Sequence, residues 1–129
     1  MRKFLCFLCA TIMFGNIFAA TVSTSKASYA VGEAIVVNYT GSTAAKDWIG
    51  VYTPPTTPAG YSIKWVYCNS GNTTSGATVR ENGTVTFTTN LPVGTYDIYM
   101  CADDGSTVMA QTHFKVVPPT VAAFTASSK

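Results

Sequence analysis

The feature that most constrains this chain is a short apolar segment, residues 47–52 (Asp-Trp-Ile-Gly-Val-Tyr), that stands between turn-forming sequences. It is rich in aromatic and β-branched residues, and its apolar positions do not repeat with the 3.6-residue period of a helix. Gly41 precedes it, and Pro54 and Pro55 follow it. These signals predict a central strand over residues 47–53 that is buried on at least one face and ends at the prolines.

Further segments with strand character lie on both sides of this one. Residues 33–40 alternate so that Ile35, Val37 and Tyr39 share one face. The other predicted strands cover residues 21–29, 62–68, 77–80, 84–89, 95–102 and 107–117. Short strands at regular spacing, without a helical period, predict an all-β, antiparallel β-sandwich of seven or eight strands, with a closed barrel as the alternative.

The alternation also predicts which side chains face the core. In residues 62–68 we expect Lys64 to face water, which assigns Ile63, Trp65 and Tyr67 to the core and Cys68 to the outer face. Further along the chain, the residues predicted to face inward are Val85, Phe87, Tyr96, Ile98, Met100, Val108, Ala110, Phe114 and Val116. Asp97, Tyr99 and Cys101 then face outward.

The first residues have the organisation of a secretory signal peptide. A basic start with Arg2 and Lys3 is followed by an apolar run, residues 4–14, that is too short for a comfortable membrane span. We expect cleavage after Ala19, which divides the chain into a signal peptide (1–19), a β-sandwich (20–117) and a flexible tail (118–129). An uncleaved anchoring helix is the alternative. The expected location is extracellular, or the periplasm or cell surface if the source is bacterial.

Removal of the signal peptide changes the charge of the chain. Arg2 and Lys3 leave with it, so the eight basic residues fall to six and equal the six acidic ones. No basic stripe remains for nucleic acid, and no transmembrane segment is expected in the mature chain. The same cleavage discards two of the four cysteines and leaves Cys68 and Cys101. An even pair in an oxidising compartment predicts one disulfide, with two reduced, half-buried thiols as the alternative.

The order of these motifs resembles a known family. It comprises the pattern of residues 29–39 (Tyr-x-Val-Gly-Glu-x-Ile-x-Val-x-Tyr), the segment 47–52, Trp65, the pattern of residues 91–96 (Leu-x-x-Gly-x-Tyr) and Asp104-Gly105. This resembles the immunoglobulin-like modules of the SKICH type, and equally the all-β modules that precede metallophosphoesterase domains or accompany secreted hydrolases. The resemblance covers roughly residues 22–117 and implies an immunoglobulin-like β-sandwich that binds, positions or links without catalysis.

Several surface residues are candidates for recognition. Aromatic rings stack on sugars or anchor a protein partner, so we expect binding at Trp48, Tyr52, Tyr61 and Tyr99, with Tyr52 and Tyr99 side by side. The alternative is that these rings only cover a sheet face. Sequons place glycosylation candidates at Asn38, Asn72 and Asn82.

Catalytic and metal-binding chemistry has little support. Asp47, Asp103 and Asp104 form a weak calcium candidate, because loop carboxylates suit that ion. The stronger alternative is that Asp47 caps its own loop and that Asp103 and Asp104 are ordinary turn residues. His113 is the only histidine and is expected to face solvent. We therefore expect no enzyme and no cofactor.

The leading functional hypothesis is a secreted, non-catalytic module for binding, adhesion or extracellular structure. Its expected partner is a protein or a glycan at the cell surface or outside the cell. Self-association is a further expectation, because the first and last strands are Thr-rich and weakly charged and could pair between copies. The alternative is a carbohydrate-binding accessory module of a secreted hydrolase system.

Overall fold

The computed structural model describes residues 19–119. In that range the chain forms eight β-strands and no helix, so none of its elements is a long apolar helix suited to crossing a membrane. In chain order the strands are β1 (Thr21–Thr24), β2 (Ser28–Ala30), β3 (Ile35–Thr40), β4 (Trp48–Tyr52), β5 (Lys64–Tyr67), β6 (Gly83–Phe87), β7 (Gly94–Cys101) and β8 (Val108–Val117). The all-β prediction is confirmed over the described residues.

The strands form two sheets. One has three strands in the order β1-β3-β6, and the other has five in the order β2-β8-β7-β4-β5. All pairings are antiparallel except that of β2 with β8, which is parallel. The chain changes sheet within residues 25–27, so the single strand predicted over residues 21–29 is in fact two. β8 lies between β2 and β7, so the last strand is not the free edge that the self-association hypothesis assumed.

The two sheets share one apolar core. Val37 and Phe87 of the three-stranded sheet and Ile49 and Ile98 of the five-stranded sheet are fully buried in it. Removing each such side chain from water contributes about 1.5–3 kcal/mol. The inward residues predicted in β3, β6 and β7 are all buried, as are Phe114 and Val116 of β8.

Local sequence explains where two of these strands begin and end. Gly32 has a positive φ of 86°, which lets the chain turn between β2 and β3, and the Glu33 amide closes this turn on the Ala30 carbonyl at 3.0 Å. Gly41 has a φ of 80° and follows the end of β3. A Cβ at this glycine would lie 2.8 Å from the Ala20 backbone, so the close approach requires glycine.

The facing predicted for β5 is wrong. Val66 and Cys68 are buried in the core, whereas Ile63 is 42% exposed and Trp65 and Tyr67 are half-buried on the opposite face. The prediction took exposed Lys64 as proof that its face meets water. Lys64 is the first residue of β5, which is an edge strand. At this position an inward-facing side chain already lies beyond the core.

Three smaller predictions are also decided by the described residues. Residues 77–80 form no strand, and Val108 is 43% exposed because β8 begins beyond the edge of the core. Ala110 is partly buried against the core. The predicted signal peptide, apart from Ala19, and the predicted tail beyond Pro119 lie outside the described residues.

Candidate functional site: an aromatic groove

Strand β4 brings the candidate aromatic residues to one face of the five-stranded sheet. Ile49 and Val51 are fully buried in the core, so alternation turns Trp48, Gly50 and Tyr52 to the opposite side, here called the outer face. Cross-strand pairing adds neighbours on that face, since Trp65 of β5 and Tyr99 of β7 lie directly opposite Gly50.

The outer face holds a groove of about 240 Å³, here called the aromatic groove. It lies where β4, β5, the loop before β5 and the turn between β7 and β8 meet. Its lining residues are Trp48, Tyr52, Gly60, Tyr61, Ser62, Trp65 and Asp104. Three of the four predicted binding aromatics therefore line one site. Tyr61 stands at its mouth with 96% of its side chain exposed.

The indole rings of Trp48 and Trp65 form one corner of the groove. Their centroids are 6.1 Å apart and their planes meet at 74°. Trp48 is fixed by a hydrogen bond from its Nε1 to the Gly105 carbonyl at 2.9 Å. Trp65 is held on its other side by Tyr67, whose ring lies edge-on at 5.0 Å. These contacts hold both rings in place without a ligand, which lowers the cost of binding one.

Gly50 makes room for this corner. A Cβ at position 50 would lie 2.9 Å from the Trp48 ring, 3.0 Å from the Tyr52 ring and 3.4 Å from the Ser62 side chain. The Trp48 and Tyr52 rings therefore both lie close to a backbone position that carries no side chain. The glycine inside the most apolar strand of the sequence is explained by this close approach.

Tyr52 and Tyr99 lie side by side as expected, but they are buried and do not form an exposed surface. Their centroids are 5.3 Å apart in an edge-to-face arrangement, and 1% and 8% of their side chains are exposed. With Cys101 they form a second buried cluster on the outer face, against which Trp48 packs. Burial raises the pKa of Tyr52 to about 12. The pair packs beneath the groove, and of the two tyrosines only Tyr52 lines it.

The acidic candidates serve the turn beside the groove. Asp47 is fully buried, and its Oδ2 accepts hydrogen bonds from Ser42 Oγ and from the Thr43 and Ala44 amides at 2.8–3.0 Å. Its Oδ1 accepts the Asp103 amide at 2.9 Å. The carboxylate thus caps its own loop and ties it to the β7–β8 turn. Among residues 19–119 no group of three or more His, Cys, Asp or Glu side chains is arranged to hold a metal ion.

Asp104 is the acidic residue that reaches the groove. Its Oδ1 accepts a hydrogen bond from the Tyr67 hydroxyl at 2.6 Å, and its Oδ2 lies 3.6 Å from Lys46 Nζ. The bond to Asp104 raises the pKa of Tyr67 above its usual value. One oxygen of this carboxylate therefore accepts a hydrogen bond, and the other forms an ion pair with the half-exposed Lys46.

The two cysteines are free and buried on opposite faces of the five-stranded sheet. Cys68 lies in the shared core, and Cys101 lies in the outer cluster with Tyr52. The sequence prediction had both facing outward. Burial raises the pKa of the Cys68 thiol to about 12 and that of Cys101 to about 11. The predicted disulfide is not formed among the described residues.

The remaining candidates lie away from the groove. Asn38, Asn72 and Asn82 are all exposed, as expected for glycosylation candidates. His113 is exposed on β8. The lining residues that the sequence analysis did not assign to a site are Gly60, Ser62 and Trp65. Trp65 lies there because it pairs with Gly50 across β4 and β5, a register that the sequence alone does not give.

Comparisons with known proteins add no further assignment. No family model matches the sequence. No curated protein matches it either.

Proposed function

We propose that the chain is an exported, non-catalytic binding module with an immunoglobulin-like β-sandwich that takes its ligand in the aromatic groove. The strand orders β1-β3-β6 and β2-β8-β7-β4-β5, with one core drawn from both sheets, support the immunoglobulin-like assignment. The signal-peptide organisation of residues 1–19 supports export.

The observation that carries the proposal is the groove itself. Two tryptophans and two tyrosines line a concavity on the side of the sheet that faces away from the core. Concave sites lined mainly by aromatic residues with a few polar groups are typical of ligand recognition. The groove contains one serine and one carboxylate, and that carboxylate is engaged by Tyr67 and Lys46, which supports binding rather than catalysis.

Carbohydrate is the second candidate ligand class, and one observation favours it. Tyr61 exposes nearly its whole ring at the mouth of the groove, where it could stack on a sugar that extends outward. In this version the chain is an accessory module of a secreted hydrolase system.

The test is a binding screen with the labelled, processed chain and two variants. The chain is applied to a glycan array and to the surface of the producing cells. We expect saturable binding that falls at least about tenfold in Trp65→Ala and is kept in the control His113→Ala, which changes an exposed aromatic residue of β8. If binding is unchanged in Trp65→Ala, the ligand does not bind in the aromatic groove. Light scattering over a concentration series tests self-association, and a constant monomer mass would exclude it.

A further inference from the structure

The aromatic groove carries more detail than binding alone. We propose that it is a cage for a quaternary ammonium group, of the kind found in choline. This inference rests on the proposed function, because it names the ligand class of the same site. It depends on the angle between the rings, the size of the groove and the position of one carboxylate.

The ring geometry favours a compact cation over a flat ring. Trp48 and Trp65 meet at 74°, so they form a corner and not a flat platform. The two rings contact each other edge to face at a centroid distance of 6.1 Å, so a cation in the groove lies against the part of an indole face that this contact leaves open. The face of an indole attracts a cation within about 6 Å of its centroid through the negative charge of its π electrons.

The size of the groove points the same way. Its volume of about 240 Å³ is below the roughly 300–1,000 Å³ of most small-molecule sites. It suits one compact head group, with Tyr61 at the mouth beside whatever chain the head group carries. The Trp48 Nε1 is already bonded to the Gly105 carbonyl and is not available to a sugar hydroxyl.

The charge of the groove completes the argument. Asp104 lines it, and the residue is fixed there by the Tyr67 hydroxyl and by its own amide, which donates to the Lys46 carbonyl at 2.9 Å. Its Oδ2 forms an ion pair with Lys46 Nζ at 3.6 Å, beyond ordinary hydrogen-bond length, so a ligand cation competes for this oxygen with a half-exposed lysine. A quaternary ammonium group has no N–H to satisfy, and it loses less hydration than a lysine when it enters an aromatic corner.

The test measures binding of choline chloride to the processed chain by tryptophan fluorescence and calorimetry, at constant ionic strength with sodium chloride. The reference ligand is 3,3-dimethylbutan-1-ol, which has the shape of choline without its charge. We expect saturable choline binding in about the millimolar range and at least tenfold weaker binding of the alcohol. No saturation by choline, or equal binding of the two compounds, would overturn the cage.

Two aspartates of one turn provide matched variants. Asp104→Asn is expected to weaken choline binding about tenfold, whereas Asp103→Asn removes the same charge outside the groove and is expected to leave it unchanged. Asn tolerates the left-handed backbone at both positions, so both variants should fold. Lys46→Gln is expected to strengthen binding several-fold, because it removes the competing cation. Equal losses in the two aspartate variants would contradict a specific contact.

The outcome separates this inference from the proposed function. If choline fails but a glycan or a cell-surface ligand binds and is lost in Trp65→Ala, the cage is wrong and the binding module stands. If neither choline nor any screened ligand depends on Trp65, both proposals fall.

Discussion

The single residue with the largest structural role outside the core is Asp47. Its two oxygens accept four hydrogen bonds, three from the loop of residues 42–44 and one from the Asp103 amide. Asp47 is fully buried, so water cannot take its place as the acceptor for these four donors. A buried carboxylate that is fully hydrogen-bonded holds its partners strongly, and removing one acceptor leaves a donor unsatisfied.

Asp47→Asn is therefore expected to lower the free energy of unfolding by about 2–3 kcal/mol. The side-chain NH2 of the asparagine would face one of the four hydrogen-bond donors, which would then have no acceptor. Urea unfolding measures this loss. The control Asp97→Asn changes a half-buried aspartate on the outer face of β7 and should cost less than about 1 kcal/mol. A loss in Asp47→Asn no greater than in the control would mean that the hydrogen bonds are not stabilising.

The turn that Asp47 holds is built from an unfavourable pair of residues. Asp103 and Asp104 both have positive φ angles, 43° and 61°, and the Gly105 amide closes the turn on the Ala102 carbonyl at 2.8 Å. This is a type I′ geometry, which favours glycine and asparagine. Positive φ costs an aspartate more than a glycine because of its Cβ.

Asp103→Gly is accordingly expected to stabilise the protein by about 0.5–1 kcal/mol, since its exposed side chain is not needed for the contact of its amide with Asp47. Thermal unfolding should show a higher midpoint. The matched control, Asp97→Gly within β7, should have the opposite sign, because glycine weakens a strand interior. A lower midpoint for Asp103→Gly would show that the Asp103 side chain contributes to the fold.

At the scale of a strand, β4 organises both faces of the five-stranded sheet. Its inward residues Ile49 and Val51 fill the core, and its outward residues Trp48 and Tyr52 build the groove around Gly50. A change at Gly50 should therefore act on stability and on the groove together.

Gly50→Ala is expected to destabilise the protein by about 1–3 kcal/mol, because the new Cβ would meet the Trp48 and Tyr52 rings at 2.9 and 3.0 Å. Near-ultraviolet dichroism should report the displaced indole, and urea unfolding the loss. Gly94→Ala is the control, since its Cβ would have its nearest contact at 3.8 Å. If the two substitutions cost the same, the crowding over Gly50 is not real.

β4 also separates the two cysteines. Trp48 pairs with Tyr67 on one side and with Cys101 on the other, and the Cys68 amide donates to the Asp47 carbonyl. The cysteines are thus two strand spacings apart, about 10 Å, whereas a disulfide requires Cα atoms within about 7 Å. Their side chains also lie on opposite faces.

The chain without residues 1–19 is expected to contain two free thiols that react only after denaturation. Thiol titration without reductant measures this, in buffer at pH 8 and in guanidinium chloride. In the native protein both sulfurs are buried and their pKa values are about 12 and 11, so reaction should be slow. If neither cysteine reacts in guanidinium chloride, the two are joined by the disulfide predicted from the sequence.

Strand β5 shows what the sequence can and cannot predict. Alternation identified β3, β6 and β7 with the correct faces, because each carries two or three large apolar residues at alternate positions. β5 carries apolar or aromatic residues on both faces, so its facing was predicted from Lys64 alone, and that prediction is wrong. The groove depends on that facing, so Trp65 was missed while Trp48 and Tyr61 were found. The split between β1 and β2 also has no local signal, because both strands are short, with four and three residues.

For the whole molecule, the buried tyrosines and cysteines predict a loss of stability in alkali. The pKa values of Tyr39, Tyr52 and Cys68 are raised to about 12 and that of Cys101 to about 11, each chiefly by burial. Below about pH 8 these groups hold their protons in both states and contribute no pH dependence, because even the cysteines of the unfolded chain have a pKa of about 8.5. At higher pH the unfolded chain releases protons first, so the unfolded state is favoured.

The free energy of unfolding is therefore expected to fall between about pH 8 and pH 12, by about 1.4 kcal/mol per pH unit for each group that is ionised only in the unfolded chain. Urea unfolding at pH 8, 9, 10 and 11 measures the slope. Tyr52→Phe removes one of these groups and should make the slope shallower above pH 10. Unchanged stability up to pH 11 would contradict the assigned burial.

The parallel pairing of β2 with β8 has a consequence for how the molecule is made. Ser28, Tyr29 and Ala30 pair with Lys115, Val116 and Val117, so a segment near the start of the described residues meets one near their end. Contacts so distant in sequence form late, because a long loop must close before they can be made. Since residues 31–114 lie between these two paired segments, the pairing cannot close the five-stranded sheet until all of those residues are available.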